Sequence, residues 1–374
     1  MNNVVVFISS GVGYGHAARD LRVIRALSRL RPGLEIEIAS YGTGLDYFRS
    51  RSIPCVEIET PGGPRDLAAV GVAVREYLAA APRPGLVVTD EVVAALPYCR
   101  TVLGVACVLL TDWFFSDIGR PDLDYRFNLA DEVIVPDLAA AHRTPETVTV
   151  PVTFTGPIVE RFPAPGAGAA EPGPDPRATP RPPLRVVLGL GGEPGRPVAL
   201  RMISRTLLAW QQHAGPHDRL TILARPAGDL PAGAPALLPG VHWAGLVTDP
   251  QEHYRKADVV LVDAMGFTCC ELIANGIAVV GFSDPRISSV FPASFGRRVE
   301  HLERSGLMAT ASLATEPARL WQLLAEAAER GSAGPDPVAA GLVRWSAAED
   351  IAASLLARLD APSPAREGAL TNGR

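Results

Sequence analysis

Lysine is almost missing from this sequence: Lys256 stands alone among 35 basic residues, so arginine carries nearly all the positive charge. Forty acidic residues leave a formal net charge of −5, and a chain with that balance has no general attraction for nucleic acid or an anionic membrane. Aromatic residues make up only 6% of the chain and do not interleave with basic ones as a base-stacking surface requires. The five cysteines, Cys55, Cys99, Cys107, Cys269 and Cys270, form no Cys-x-x-Cys pair and no His–Cys metal spacing. Four of them sit in apolar contexts and read as buried free thiols, and no metal is expected. No run approaches the roughly 20 apolar residues of a membrane span. The apolar opening at 4–8 is too short for a signal peptide and lacks a basic lead. A soluble cytoplasmic protein is therefore expected. GxSxG, GxxxxGK[ST] and HExxH are all absent, which leaves serine hydrolase, P-loop kinase and zinc protease without support. What the chain does have is abundant glycine and proline, 35 of each, a composition typical of GC-rich bacterial genomes.

At 374 residues there is room for two or three domains with separate cores. The organising stretch is Val4 to Leu27, an apolar run, a turn with Gly11, Gly13 and Gly15, and then an amphipathic helix. Leu21, Ile24, Ala26, Leu27 and Leu30 are placed toward a sheet, with Arg19, Arg22, Arg25 and Arg29 toward water. Strands then alternate with helices. Expected strands are 35–39, 55–58, 86–89, 105–110, 132–135 and 148–154, and expected helices 44–50, 66–78 and 92–103. That alternation means βαβ units and a parallel sheet. Eight prolines between Phe162 and Leu184 mark a linker that cannot build a core. The pattern restarts with strands at 185–189, 220–224, 241–243, 259–262 and 278–282, the last of the strands. Helices are expected at 198–212, 250–256, 268–274, 293–304, 316–330 and 338–359. The expected fold class is α/β, with two Rossmann-like domains whose parallel sheets face across a cleft. Residues 1–160 form the first domain, 161–184 the linker, 185–345 the second domain, 346–359 a final helix and 360–374 a disordered tail.

The first loop is not a dinucleotide site. Its spacing is GxGxG followed by His16, and the second strand ends in Ser40-Tyr41 with no acid placed for a ribose. A lone histidine is more often a structural hydrogen-bonder. His16, however, follows Gly13 and Gly15 at the carboxyl end of a parallel strand, where ligands bind in such sheets. A positioned imidazole there can take a proton from a hydroxyl or ring nitrogen. Arg19, one turn on, is able to meet phosphate or carboxylate, although a solvated helix arginine is equally common. Asp90, Glu91 and Asp112 end parallel strands of the same half. Any of them could accept from the second nitrogen of His16 and orient it, with Asp112 favoured. In the second half, Gly266 allows close backbone approach, Thr268 can cap a helix, and the helix start offers N–H groups to a diphosphate. Glu271 either accepts from two ribose hydroxyls or complements the helix dipole, two readings of equal weight on spacing alone. The turn holding Gly191 and Gly192 suits phosphate but equally an ordinary strand-to-helix connection. Backbone between Trp243 and Val247 could meet a base.

Together, Gly13-Tyr14-Gly15-His16-Ala17-Ala18-Arg19, the stretch from Ala257 to Phe282 and the two-sheet layout resemble the GT-B glycosyltransferases. They are most similar to family 28, which includes the N-acetylglucosaminyltransferase of lipid II synthesis. The first loop also resembles that of the UDP-sugar hydrolase of pseudaminic acid synthesis and of plant arabinokinase. The resemblance implies a UDP-sugar donor and no cofactor. Glu271 would bind the ribose; Gly266, Phe267, Thr268, Gly191 and Gly192 would cradle phosphate; and backbone near Val247 would meet uracil. It implies a first domain that holds the acceptor, with the Gly-His loop lining the cleft and a base on the acceptor side; Gly13, Gly15, Arg19, Asp90 and Glu91 are read as that lining, with His16 as base and Asp112 behind it. Inversion would follow without a metal, and the last helix would pack back on the first domain. The usual acidic-Gln pair is missing after Phe282. Arg286, Arg297 and Arg298 stand in that region instead and point to an acidic donor such as UDP-glucuronate. The expected partners are a nucleotide sugar and a small acceptor, a natural-product aglycone, aminocyclitol or nucleobase. No oligomeric state is assigned. A UDP-sugar hydrolase or epimerase, and a non-catalytic UDP-sugar-binding protein, are the alternatives.

Overall fold

A computed structural model describes residues 3–81, 83–163, 182–190, 197–224, 238–245, 247, 249–284, 292–331 and 341–361. The chain divides into two compact units, 1–158 with 292–294 and 346–374, and 159–291 with 295–345. Most of the proline-rich segment, 164–181, and the tail 362–374 lie outside the described residues.

Unit 1 runs β1 (Val4–Ser9), α1 (Tyr14–Leu30), β2 (Glu35–Ser40), α2 (Gly42–Ser50), β3 (Val56–Glu57), α3 (Leu67–Ala80), β4 (Leu86–Asp90), α4 (Ala95–Tyr98), β5 (Ala106–Leu110), β6 (Glu132–Val135) and β7 (Val152–Phe154). Its seven strands are parallel in the order β3-β2-β1-β4-β5-β6-β7. The strand order reverses direction at β1 and β4, where neighbouring connections leave toward opposite sides and open a crevice at the strand ends. Central strands are apolar along their whole length because both faces are covered. On one face Val5, Phe7, Val88 and Val108 join Ile24 and Leu27 of α1. On the other, Val6, Ile8, Val87 and Leu109 join Val70 and Val74 of α3 and Leu96 of α4. Asp66 starts α3 by accepting the amides of Ala68 and Ala69, each at 3.1 Å.

Unit 2 runs β8 (Arg185–Gly189), α5 (Pro197–His213), β9 (Arg219–Leu223), β10 (Val241–Trp243), α6 (Gln251–Arg255), β11 (Val259–Asp263), α7 (Thr268–Ala274), β12 (Val279–Phe282), α8 (Ala293–Arg304), β13 (Ala309–Ala311) and α9 (Pro317–Arg330). Its order, β10-β9-β8-β11-β12-β13, repeats the plan of unit 1 and is again parallel. The last helix, α10 (Ala347–Asp360), belongs to unit 1. Its buried Ile351, Ala352 and Leu355 complete the core beside α1, and at the rim Arg29 pairs with Glu349 at 2.6 Å.

Several elements differ from the sequence reading. The stretch 92–103 is a short α4 passing into a wider π-helical turn at Cys99–Leu103, where Pro97 has no N–H to give and Gly104 ends the turn at φ 60°. Among the described residues, the helix expected over 338–359 begins only at Ala347, after Gly341 in the left-handed region at φ 70°. β13 follows what had been read as the last strand; three small or hydroxyl residues are too few to show a period. Leu30, placed toward the sheet by periodicity, is exposed at the end of α1, and Arg19, placed toward water, is buried. Cys99, Cys107, Cys269 and Cys270 are buried and in no disulfide.

Because α10 seals the α1 face of the unit 1 core, Leu355→Ala should destabilise that unit by about 2–5 kcal/mol. Urea unfolding followed by circular dichroism measures this; an unshifted transition would mean α10 does not support the unit.

Candidate active site

The site of unit 1 forms at the β1–β4 reversal. Gly13 takes φ 81° and Gly11 leaves no room for a side chain, since a Cβ there would fall 2.2 Å from the Tyr41 ring. The turn thus drops directly into α1. His16 and Arg19, three residues apart, then share the helix face that looks across to the end of β4.

Asp90 receives both. Arg19 Nε donates to Asp90 Oδ2 at 2.9 Å and Arg19 Nη2 donates to Asp90 Oδ1, a two-pronged pairing that suits the planar guanidinium. His16 Nδ1 stands 3.2 and 3.3 Å from the two Asp90 oxygens and 3.1 Å from Arg19 Nη2. On its other side, His16 Nε2 is 3.6 Å from Glu91 Oε2. Arg19 reaches on, with Nη1 at 3.7 Å from Asp112 Oδ2 and Nη2 at 3.9 Å from Glu91 Oε1. Arg19 is only 4% exposed, against 18% for His16 and 16% for Glu91, so the imidazole and the glutamate are what this cluster offers to a ligand.

Behind it, Ser9 donates to Asp20 Oδ2 at 2.5 Å, and Asp20 is fully buried. Glu91 holds a left-handed backbone at φ 58°, a conformation costing a non-glycine residue on the order of 1–2 kcal/mol. Its N–H donates to Leu110 and its carbonyl accepts from Val93, which fixes the kink and turns the carboxyl back over His16.

Protonation follows from this packing. Burial works to lower the His16 pKa, but Glu91 and Asp90 outweigh it and raise the ring to about 9. Burial raises Glu91, and although His16 pulls it down, the Asp112 carboxyl pushes it up further, to about 8. Burial would also raise Asp90, yet Arg19 and His16 hold it well below the usual carboxylate range. Burial and Asp90 push Asp20 well above the usual carboxylate range. At neutral pH the cluster therefore contains a carboxylate fixed by arginine, an imidazolium and a protonated glutamate. His16, Asp90 and Glu91 can bring ligand atoms within 4.8 Å of one another, and the Arg19 guanidinium supplies positive charge at that place.

The sequence reading put Asp112 behind His16; in the structure Asp90 stands there and Asp112 meets Arg19 instead. β4 is the neighbour of β1, whereas β5, which leads to Asp112, lies one strand further away. Ser9 and Asp20 escaped notice because a strand-end serine and an acid next to a presumed surface arginine carry no pattern of their own.

In unit 2 the corresponding reversal lies between β8 and β11, so Gly266, Phe267 and Thr268 follow a strand at the crevice. Thr268 opens α7 rather than capping it; Phe267 occupies the cap position and gives no side-chain hydrogen bond. The turn is tied instead by Asp263 Oδ1, which accepts from Met265 N–H at 2.9 Å. Glu271 Oε1 accepts the Glu160 amide at 3.1 Å, and Asn275 takes the Phe162 amide at 2.8 Å. Arg298, one of the three arginines expected near a sugar carboxylate, is wholly buried. Its Nη2 donates to the Met265 carbonyl and its guanidinium lies 4.5 and 4.8 Å from the Phe267 and Phe295 rings, so it props the turn from below. Arg297 is half-buried and Val247 also half-buried. Gly191, Gly192 and Arg286 lie outside the described residues.

No protein-family model matches the sequence, and no curated protein matches it. Solved structures do match. The glycotransferase of kitacinnamycin aligns over 96% of this chain and 100% of its own with a TM-score of 0.64 at 16% identity. MurG of Acinetobacter baumannii aligns over 95% and 99% with a TM-score of 0.60 at 17% identity. The fold is GT-B. A putative UDP-N-acetylglucosamine 2-epimerase from Listeria monocytogenes aligns over 97% and 99% with a TM-score of 0.64 at 13% identity, so this fold is matched by proteins named for different reactions. At such identities the likeness is one of fold, and what this GT-B chain does must be argued from its own side chains.

Titration gives one check. Folded Glu91 keeps its proton to about pH 8, while the unfolded residue loses it near 4.5. The native state therefore binds more protons across that window, and stability falls as pH rises through it. For His16, raised from 6.5 to about 9, the contribution is full below 6.5 and is lost as pH climbs through 9. Glu91→Gln abolishes the first effect. Urea unfolding should show it gaining on the parent protein by on the order of 1–3 kcal/mol between pH 4.5 and pH 8; a difference that stays constant would mean Glu91 titrates as an ordinary surface acid.

Proposed function

We propose that the chain is a UDP-sugar-dependent glycosyltransferase that inverts the anomeric centre, with His16 as the base. The observation that carries this is His16 backed by the arginine-fixed carboxylate of Asp90 at the strand-order reversal of unit 1, within a GT-B fold. Such a base–orienter pair is suited to removing a proton from a hydroxyl. In this reading the acceptor oxygen gives its proton to His16 Nε2 and forms the new bond to the anomeric carbon as the bond from that carbon to the UDP oxygen breaks. The turn at Gly266, Phe267 and Thr268, with the N–H groups that open α7, takes up the charge of the departing diphosphate. Glu271 and backbone near Val247 hold the nucleoside, and Gly13 and Gly15 border the acceptor. A natural-product acceptor accords with the kitacinnamycin neighbour.

A second reading has its own support. Between the Glu91 midpoint of about 8 and the His16 midpoint of about 9, a carboxylate stands beside an imidazolium, which puts a base and an acid at one point. That pair suits hydrolysis or epimerisation of a UDP-sugar, and an epimerase is among the structures of this fold. Incubation of the protein with UDP-sugars and no acceptor separates the two. Free sugar or an epimer formed at turnover rates supports the second reading, and acceptor-dependent UDP release supports the first.

In the transferase reading, His16 must lose a proton before it acts, so kcat/KM should climb with pH through a midpoint near 9 and level off above it. The macroscopic midpoint belongs to the coupled His16–Glu91 pair. His16→Ala should lower turnover by about 10²–10⁴-fold while calorimetry finds UDP binding unchanged, and Glu271→Ala should weaken UDP. Turnover that survives loss of the imidazole would remove His16 from the mechanism.

A further inference from the structure

Helical period places Arg19 with the solvent-facing arginines of α1, yet among the described residues of unit 1 it is the buried arginine. It cannot reach a substrate: it is 4% exposed, its Nε and Nη2 are spent on Asp90, and its Nη1 lies toward Asp112. It does reach His16, whose Nδ1 is 3.1 Å from Nη2. We propose that Arg19 is a positioning residue for the His16 base: by forking onto both oxygens of Asp90 it holds that carboxylate ionised and in place to accept Nδ1–H, which leaves the Nε2 lone pair for the substrate.

The geometry at Nδ1 admits two neutral tautomers. With the proton on Nδ1, it donates to Asp90 and Nε2 is free to accept. With the proton on Nε2, Nδ1 accepts from Arg19 and the ring is useless as a base toward a ligand on the Glu91 side. Asp90 decides between them, because its ionised carboxylate lies within hydrogen-bond reach of Nδ1, at 3.2 and 3.3 Å, whereas Glu91 stands 3.6 Å from Nε2. Its ionisation depends on Arg19, since fully buried it would otherwise take up a proton. Arg19 also restrains how tightly the ring binds its proton. The groups facing the imidazole are Asp90 and Glu91 from the end of β4 and Arg19 from α1; behind them Asp20 of α1 and Tyr41 beyond β2 bear on Asp90, and Asp112 beyond β5 bears on Glu91. Arg19 is the one permanent cation among them, and it lowers the proton affinity that the carboxylates raise.

The role rests on the reading of His16 as base, but its test needs no turnover. Nitrogen-15 NMR of the His16 ring in the unaltered protein, taken above the ring's titration midpoint, should show Nδ1 protonated and Nε2 bare. Arg19→Met should let Asp90 take up a proton; losing that carboxylate outweighs losing the lowering effect of Arg19 itself, so the ring's midpoint should move down by about one unit or more and the tautomers mix. Arg19→Lys, which keeps the charge, should hold the midpoint close to the parent value. A neutral ring protonated on Nε2 in the unaltered protein would overturn the proposal, even if Arg19→Met failed to fold. So would an unmoved midpoint in a folded Arg19→Met protein. An Nδ1–H ring in a protein that turns over no UDP-sugar would leave Arg19 in its role and remove the transferase reading alone.

Discussion

The pairing of Arg19 with Asp90 is the contact on which the unit 1 site depends. It joins the first helix to the end of β4 across 71 residues of sequence, with both partners out of water. Burying two charges costs several kcal/mol for each, offset only by close geometry and further hydrogen bonds. Those are supplied here by the forked contact, by His16 and by the hydrogen-bonded Ser9–Asp20 pair behind. Breaking such a pair on one side alone is expected to cost roughly 3–5 kcal/mol. So costly an arrangement at the mouth of the sheet accords with the role proposed for His16. The strained backbone of Glu91, next in sequence to Asp90, points the same way.

Much of this architecture is written in the residue pattern. Continuous Val/Leu/Ile runs marked the central strands, because a strand covered on both faces has no polar side to show. His16 stood out as a titratable group following a glycine turn. What the pattern could not give was adjacency. Strand order is a property of the sheet, so the sequence reading favoured Asp112 over Asp90 and Glu91, and the neighbouring of β1 and β4 is what brings Asp90 to His16 instead. Helical periodicity likewise assigned Arg19 to the wet face, since a period cannot report that a carboxylate lies opposite it on another strand. Leu30 went wrong for the converse reason: the helix ends there, and the surface it would cover does not extend so far.

Unit 2 repeats the topology with a different use of charge. Its crevice turn is tied by Asp263 and propped from below by Arg298 between two phenylalanine rings. An arginine read from sequence as a ligand group is therefore part of the scaffold. Glu271, read as a ribose partner, accepts a backbone amide with one oxygen, as an acid early in a short helix can do while its other oxygen serves elsewhere. The two units thus divide the work in this account. One sets the turn before α7 and a single acid, Glu271, at its strand-order reversal, and the other concentrates titratable side chains around one imidazole.

The central claim is that His16 acts as a base because Asp90 holds it, and Asp90→Asn tests it most directly. The substitution keeps the shape but removes the charge that receives Nδ1–H. The account predicts UDP-sugar turnover lower by about 10²–10⁴-fold with UDP bound as tightly as before on the same folded sample. Turnover near that of the unaltered protein would contradict it.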